Sequence, residues 1–196
     1  MVTPRVFAEQ YFTALRALLD RVPLDAVAAL LSEVEAAWAE HRRIFLIGNG
    51  GSAATASHFA LDLSKGTRPD PWTGRPIQAI ALTDSVPFVT AWANDTDYVH
   101  IFSEPLRALG TAGDRLIAIS ASGNSPNILE AVNTAHALGM RVVALTGCSG
   151  GVLAALADVA LTIPSHEYGL VEDLHLALNH ILTGYMRERL ADTPPA

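Results

Sequence analysis

A doubly wound α/β fold around a parallel sheet of about five strands is the architecture this sequence predicts, on three observations. Short apolar runs alternate with helical patterns along the 196 residues. The runs, of which 44–47 is the clearest, are continuously apolar, as strands covered on both faces are. Three of them lead into Gly/Ser-rich turns, and in such a sheet these turns fall together on the carboxyl edge, where ligands bind.

Phe7, Tyr11, Phe12, Leu15, Leu18 and Leu19 recur at helical spacing, with Pro4 tolerated near the start of that helix. A second helical pattern, Val27, Leu30, Leu31, Val34 and Trp38, runs from Leu24 to His41 after the Val22-Pro23 break. These two stripes need cover, either from the sheet or from another subunit. Ile44 to Ile47 is the first strand, Gly48 stops it, and Asn49-Gly50-Gly51 turns tightly into a helix with Ser52 as a plausible N-cap. Gly66, Pro69, Pro71, Gly74 and Pro76 mark a loop long enough to flank a site. Strands follow at Ile77–Leu82, Arg115–Ile119, Arg141–Leu145 and Val159–Ile163. Helices are expected over Pro87–Asn94, over Tyr98–Leu109, from Pro126 to near Gly139, and over Leu170–Leu190. Asn94-Asp95 reads as a turn, Gly147–Gly151 as a Gly/Ser turn, and Ala191–Ala196 as a frayed tail. One domain is expected, with residues 1–41 a helical extension and 42–190 the α/β core.

Composition narrows the function classes. Half of the residues are hydrophobic and 17% are charged, which gives no disorder signature. A formal charge of -7 and a pI near 5.4 exclude the basic face of a general nucleic-acid binder, so any phosphate must be held by local groups. Cys148 is the single cysteine, which leaves neither a disulfide framework nor a cysteine-rich metal site and fits a reducing compartment. The first residues carry no apolar signal core, and no apolar run reaches membrane-spanning length. A cytoplasmic protein with no membrane or nucleic-acid partner is expected.

Two loops carry the chemistry. In the first, Gly50 and Gly51 bring bare N–H groups close to a ligand at a helix N-terminus, where unpaired amides and the macrodipole favour anions. Gly48, Gly50 and Ala53 also fit the loose dinucleotide pattern G-x-G-x-x-[GA]. That pattern needs an acidic residue ending the next strand; Asp84 comes too late and Asp70 lies in the Pro-rich loop, which disfavours a dehydrogenase. In the second loop, Ser120, Ser122 and Ser125 precede a helix, and more hydroxyls are present than one cap requires. They can wrap a phosphomonoester without Lys or Arg. His58 and Asp62, at i and i+4, share a helix face, as metal or acid–base partners should. Glu172 and His180 stand about 12 Å apart along a helix, so either Glu172 lies outside regular helix or two subunits contribute to a site. His175 reads better as a packed helix histidine.

Gly48-Asn49-Gly50-Gly51-Ser52 followed by Ser120-Ala121-Ser122-Gly123-Asn124-Ser125 resembles the sugar isomerase (SIS) domain, and more finely the phosphoheptose isomerases. The resemblance covers nearly the whole chain. It implies that Asn49, Gly50, Gly51, Ser52, Asn94, Asp95, Ser120, Ser122, Ser125 and Glu172 hold a sugar phosphate. It also implies that His58, Asp62, Glu172 and His180 form a zinc and catalytic set, with Asp62 as base and His180 as acid–base partner. Asp62 stands where the family usually has Glu, and Glu172 where it has Gln. Homotetramers with interfacial sites are implied as well, and the reaction is expected to be aldose–ketose isomerisation of sedoheptulose 7-phosphate. The rival is a noncatalytic SIS module that senses sugar phosphates or associates with a replication initiator; such modules lose the His/Glu set, whereas this chain retains His58, His180 and two carboxylates.

Overall fold

The computed structural model describes residues 2–68 and 75–191. Five strands form one parallel sheet in the order β2-β1-β3-β4-β5: β1 is Arg43–Gly48, β2 Gln78–Ala81, β3 Arg115–Ser120, β4 Arg141–Thr146 and β5 Val159–Thr162. The order reverses at β1, so the crevice between the carboxyl ends of β1 and β3 is the switch point. Gly48 pairs with Ile119 there, which sets the two Gly/Ser loops side by side.

Each strand is apolar on both faces because both faces are covered. Ile44 and Leu46 join Ile117 and Ile119 in one core with α2 (Leu24–Ala39), α3 (Gly51–Leu61) and α8 (Tyr168–Ala191). Phe45 and Ile47 join Leu116 and Ala118 in a second core, beneath α5 (Ser103–Leu109) and α6 (Pro126–Ala137).

The two leading helices divide the alternatives between them. Helix α2 buries Val27, Leu30, Val34 and Ala37 against the sheet. Helix α1 (Pro4–Leu19) buries only Leu18 and leaves Phe7 65%, Phe12 56% and Leu19 51% exposed. Tyr11 and Leu15 pack partly against the core, and the other half of the stripe has no cover among the described residues.

Four local expectations need correction, the first being the N-cap of α3, which is Gly50 at φ 53° with Ser52 already inside the helix. Tyr98–Leu109 is not one helix but a 3₁₀ turn, Tyr98–His100, followed by α5. Pro105 cannot donate to the carbonyl one turn back, which a continuous helix would require. Asn94-Asp95 is not a turn; the pair ends α4 (Val86–Asp95), and the break comes at Thr96. The Gly147–Gly151 turn runs into a short helix, α7 (Gly151–Leu156), too brief for its periodicity to be read. Pro69, Pro71, Gly74 and the tail 192–196 lie outside the described residues. Among the described residues, no helix is long and apolar enough to cross a membrane.

Candidate functional site

The β1 and β3 loops enclose a cleft of about 230 Å³ lined by Asn49, Ser52, Ser120, Ser122, Ser125, Tyr168 and Glu172. Among the described residues no Lys or Arg lines it, so the groups it offers an anion are hydroxyls and backbone amides. Helices α3 and α6 both begin here, and neither N-terminus has a side-chain cap. Their first amides are the groups a bound anion would satisfy. The Ser120 and Ser125 hydroxyls lie 3.4 Å apart, and Ser122 Oγ accepts from Asn124 N at 3.2 Å.

The two loops are tied across the switch point. Asn49 Nδ2 donates to Asn127 Oδ1 at 2.9 Å, and Asn127 Nδ2 donates back to Asn49 Oδ1 at 2.8 Å. Tyr98 Oη adds a third bond to Asn49 Oδ1, at 3.2 Å. The third Gly/Ser loop, expected on the same edge, does not line the cleft but buttresses the second. Leu153 N donates to Gly123 O at 2.9 Å and Val152 N to Asn124 Oδ1 at 3.1 Å. A side chain at Gly123 would run into the Gly150 carbonyl.

Glu172 reaches this cleft from the first turns of α8. A Cβ at Gly51 would lie 2.5 Å from Glu172 Oε1, so the carboxylate rests against the opening residue of α3 and a side chain there would push it aside. This places the carboxylate beside the first turn of α3, where the helix dipole favours a negative charge. It also brings a like charge to any phosphate held nearby.

Two turns further along α3 is a second constellation. His58, Asp62 and His180 each offer a donor atom, all within 4.8 Å of one another. His58 Nε2 is 3.3 Å and His180 Nε2 4.0 Å from Asp62 Oδ2, and the imidazoles meet edge to face at 5.3 Å. Ligands placed tetrahedrally at about 2.0–2.1 Å from a metal stand about 3.4 Å apart, so small side-chain adjustments let this set hold a divalent ion with a coordination position left open. Asp62 opens a π-helical turn, Asp62–Gly66, that widens the end of α3 toward α8.

Glu172 stands apart from this trio. It lies within the unbroken helix α8, so the alternative that placed it outside regular helix is removed. Asn94 and Asp95 are exposed and line neither the cleft nor the smaller one beside Gly50 and Tyr98. His175 is the packed histidine expected: it is fully buried, Nε2–H donates to Thr146 O at 3.1 Å, and burial pushes its pKa down to about 4 against that hydrogen bond. Asn127, Tyr98 and Tyr168 went unread in the sequence. Asn127 carried the one available signal, an amide in the first turn of the helix after the serine loop.

The family model described as the SIS domain matches residues 10–147. The chain is similar to the phosphoheptose isomerase of Mycobacterium tuberculosis, at 39% identity over 94% of this chain and 93% of the relative. It is 41% identical to that of Aromatoleum aromaticum over 83% of this chain and 85% of the relative. Among solved structures, a phosphoheptose isomerase from Neisseria gonorrhoeae superposes with a TM-score of 0.87 at 32% identity, covering 95% of this chain and 100% of the other.

Proposed function

The chain belongs to the SIS-domain family, and within it we propose that the protein is a phosphoheptose isomerase, an aldose–ketose isomerase converting sedoheptulose 7-phosphate to D-glycero-D-manno-heptose 7-phosphate. The observation that carries the reading is the pairing, along one helix, of an anion cleft without cations and a carboxylate–imidazole cluster. Gly51 and His58 are seven residues apart on α3, a rise of about 10 Å. That separation suits a substrate with its phosphate at one end of an extended carbon chain and its carbonyl at the other.

The residues divide the work. Ser120, Ser122, Ser125 and the first amides of α3 and α6 anchor the phosphate. Asp62 takes a proton from C1 of the ketose while His180 supplies one to the C2 oxygen, which forms the 1,2-enediol. Reprotonation at C2, with loss of the C1 hydroxyl proton, yields the aldose. Asp62 meets both histidines through Oδ2, and neither contact uses Oδ1. A zinc ion held by His58, Asp62 and His180 would supply Lewis acidity at the carbonyl oxygen. Retention of this set favours an enzyme over a noncatalytic phosphosugar module.

We further infer a homotetramer with sites that cross subunits. The support is the uncovered face of α1 together with the placement of Asn94 and Asp95 outside the cleft of their own chain. Light scattering at micromolar concentration is expected to give a tetramer, and a monomer would refute the assembly. A reducing, cytoplasmic location accords with the free thiol of Cys148.

Incubation with a panel of ketose phosphates in deuterated water, with and without zinc, tests the activity. Deuterium at a carbon of sedoheptulose 7-phosphate and its product is expected. Binding without exchange in any sugar phosphate would leave the module reading in its place.

A further inference from the structure

Asn179 lies on α8 immediately before His180 and is fully buried. Its Nδ2 donates to Asp62 Oδ2 at 2.8 Å, closer than His58 at 3.3 Å or His180 at 4.0 Å. Charge sets the orientation of this amide, since the reverse would aim Oδ1, an acceptor, at a carboxylate that only accepts. With Nδ2 so committed, Asn179 Oδ1 is buried and has no hydrogen-bond partner. A polar side chain with one atom unsatisfied is a poor filler for a helix–helix contact, where leucine would serve better. The contact with Asp62 is what the asparagine supplies and leucine could not.

The local backbone makes that contact consequential. Asp62 begins the π-helical turn, with Thr67 N bonding back to Asp62 O at 3.0 Å, so its Cβ leaves a widened part of the helix. His58 and His180 are both well exposed, with side chains 40% and 58% accessible, and their contacts with Asp62 are the longer ones. Asn179 is fully buried and gives the same Oδ2 its shortest contact, so it is the fixed partner of a carboxylate whose other neighbours are exposed.

We propose that Asn179 is a positioning residue, which aims the Asp62 carboxylate at His58 and His180 through the Nδ2–Oδ2 hydrogen bond. This rests on the isomerase reading above for the role of Asp62. Its test combines Asn179→Leu with the parental Asp62 and with Asp62→Glu, whose carboxylate sits one methylene further out and away from the amide. Turnover of sedoheptulose 7-phosphate, zinc affinity by calorimetry and thermal unfolding are measured on each protein.

With Asp62 present, Asn179→Leu should lower kcat about 10- to 100-fold and weaken zinc binding by a similar factor, with KM within about threefold of the parent. With Glu at position 62 the same substitution should cost less than about threefold, because the amide no longer reaches the carboxylate. Equal losses in both backgrounds, or a lower melting temperature with parental kcat, would overturn the proposal. Asn179→Ala serves if leucine does not fold, with the same outcomes. A parent that turns over no sugar phosphate would sink the isomerase reading alone. Zinc affinity then decides the role of Asn179, and equal affinity in parent and Asn179→Leu protein would end it.

Discussion

The two ends of α3 belong to two differently built regions. At its N-terminus the anion cleft is assembled from two short Gly/Ser loops, each a local turn after a strand, which the sheet sets side by side and the Asn49–Asn127 pair stitches together. At its C-terminus the cluster depends on α8, which brings Asn179 to Asp62 across 117 residues of sequence. The cleft offers partial charges on amides and hydroxyls; the cluster offers a carboxylate and two imidazoles, groups that can transfer protons. Substitutions in the first should therefore change affinity, and substitutions in the second should change rate.

Asp62→Asn is the strongest probe of that division. Loss of a positioned general base is expected to lower kcat by about 10²- to 10⁴-fold while KM stays near the parental value. Parental turnover in this protein would end the assignment of Asp62, and a large rise in KM would show that the regions are not separable.

Replacing Ser120 and Ser122 by Ala should do the converse. Each hydrogen bond to a charged phosphate contributes about 1.5–3 kcal/mol, so KM should rise roughly ten- to a hundredfold per bond lost, with kcat little changed. Steady-state kinetics on sedoheptulose 7-phosphate gives both numbers, and unchanged affinity would relocate the anchor.

Acid tests the support of α8, on which the cluster depends more than the loops do. His175 ties α8 to the end of β4 and is held neutral by burial, with its pKa down to about 4 from 6.5. Because the folded value is the lower one, its contribution to stability is complete above pH 6.5, shrinks as pH falls toward 4, and changes no further below that. Denaturant unfolding at pH 6.5 and pH 5 should differ by about 2 kcal/mol from this group. His175→Gln should flatten that slope, and an identical slope would free His175 of the role.

The smallest expected effect is at Glu172, the one acidic side chain lining the cleft among the described residues. Glu172→Gln removes a like charge from beside the phosphate and should tighten inorganic phosphate binding about two- to fivefold. Weaker binding would mean that the carboxylate helps to form the cleft by engaging the α3 amides.

The sequence by itself determined the strands, their parallel arrangement and the two Gly/Ser loops that meet at the switch point. Those signals are local: a continuous apolar run, a glycine pair, serines before a helix-opening proline. It also placed His58 and Asp62 on one face, since four residues make about one helical turn. Only the tertiary structure decided the rest. That α2 enters the core while α1 keeps Phe7 and Phe12 exposed depends on which helix packs on the sheet, and both carry similar stripes. That His180 joins Asp62 while Glu172 turns to Gly51 depends on the docking of α8 beside α3. Two residues eight apart on a rigid helix must serve places about 12 Å apart, and which place each one serves is settled by helix packing over long sequence separations, which no local pattern of residues encodes.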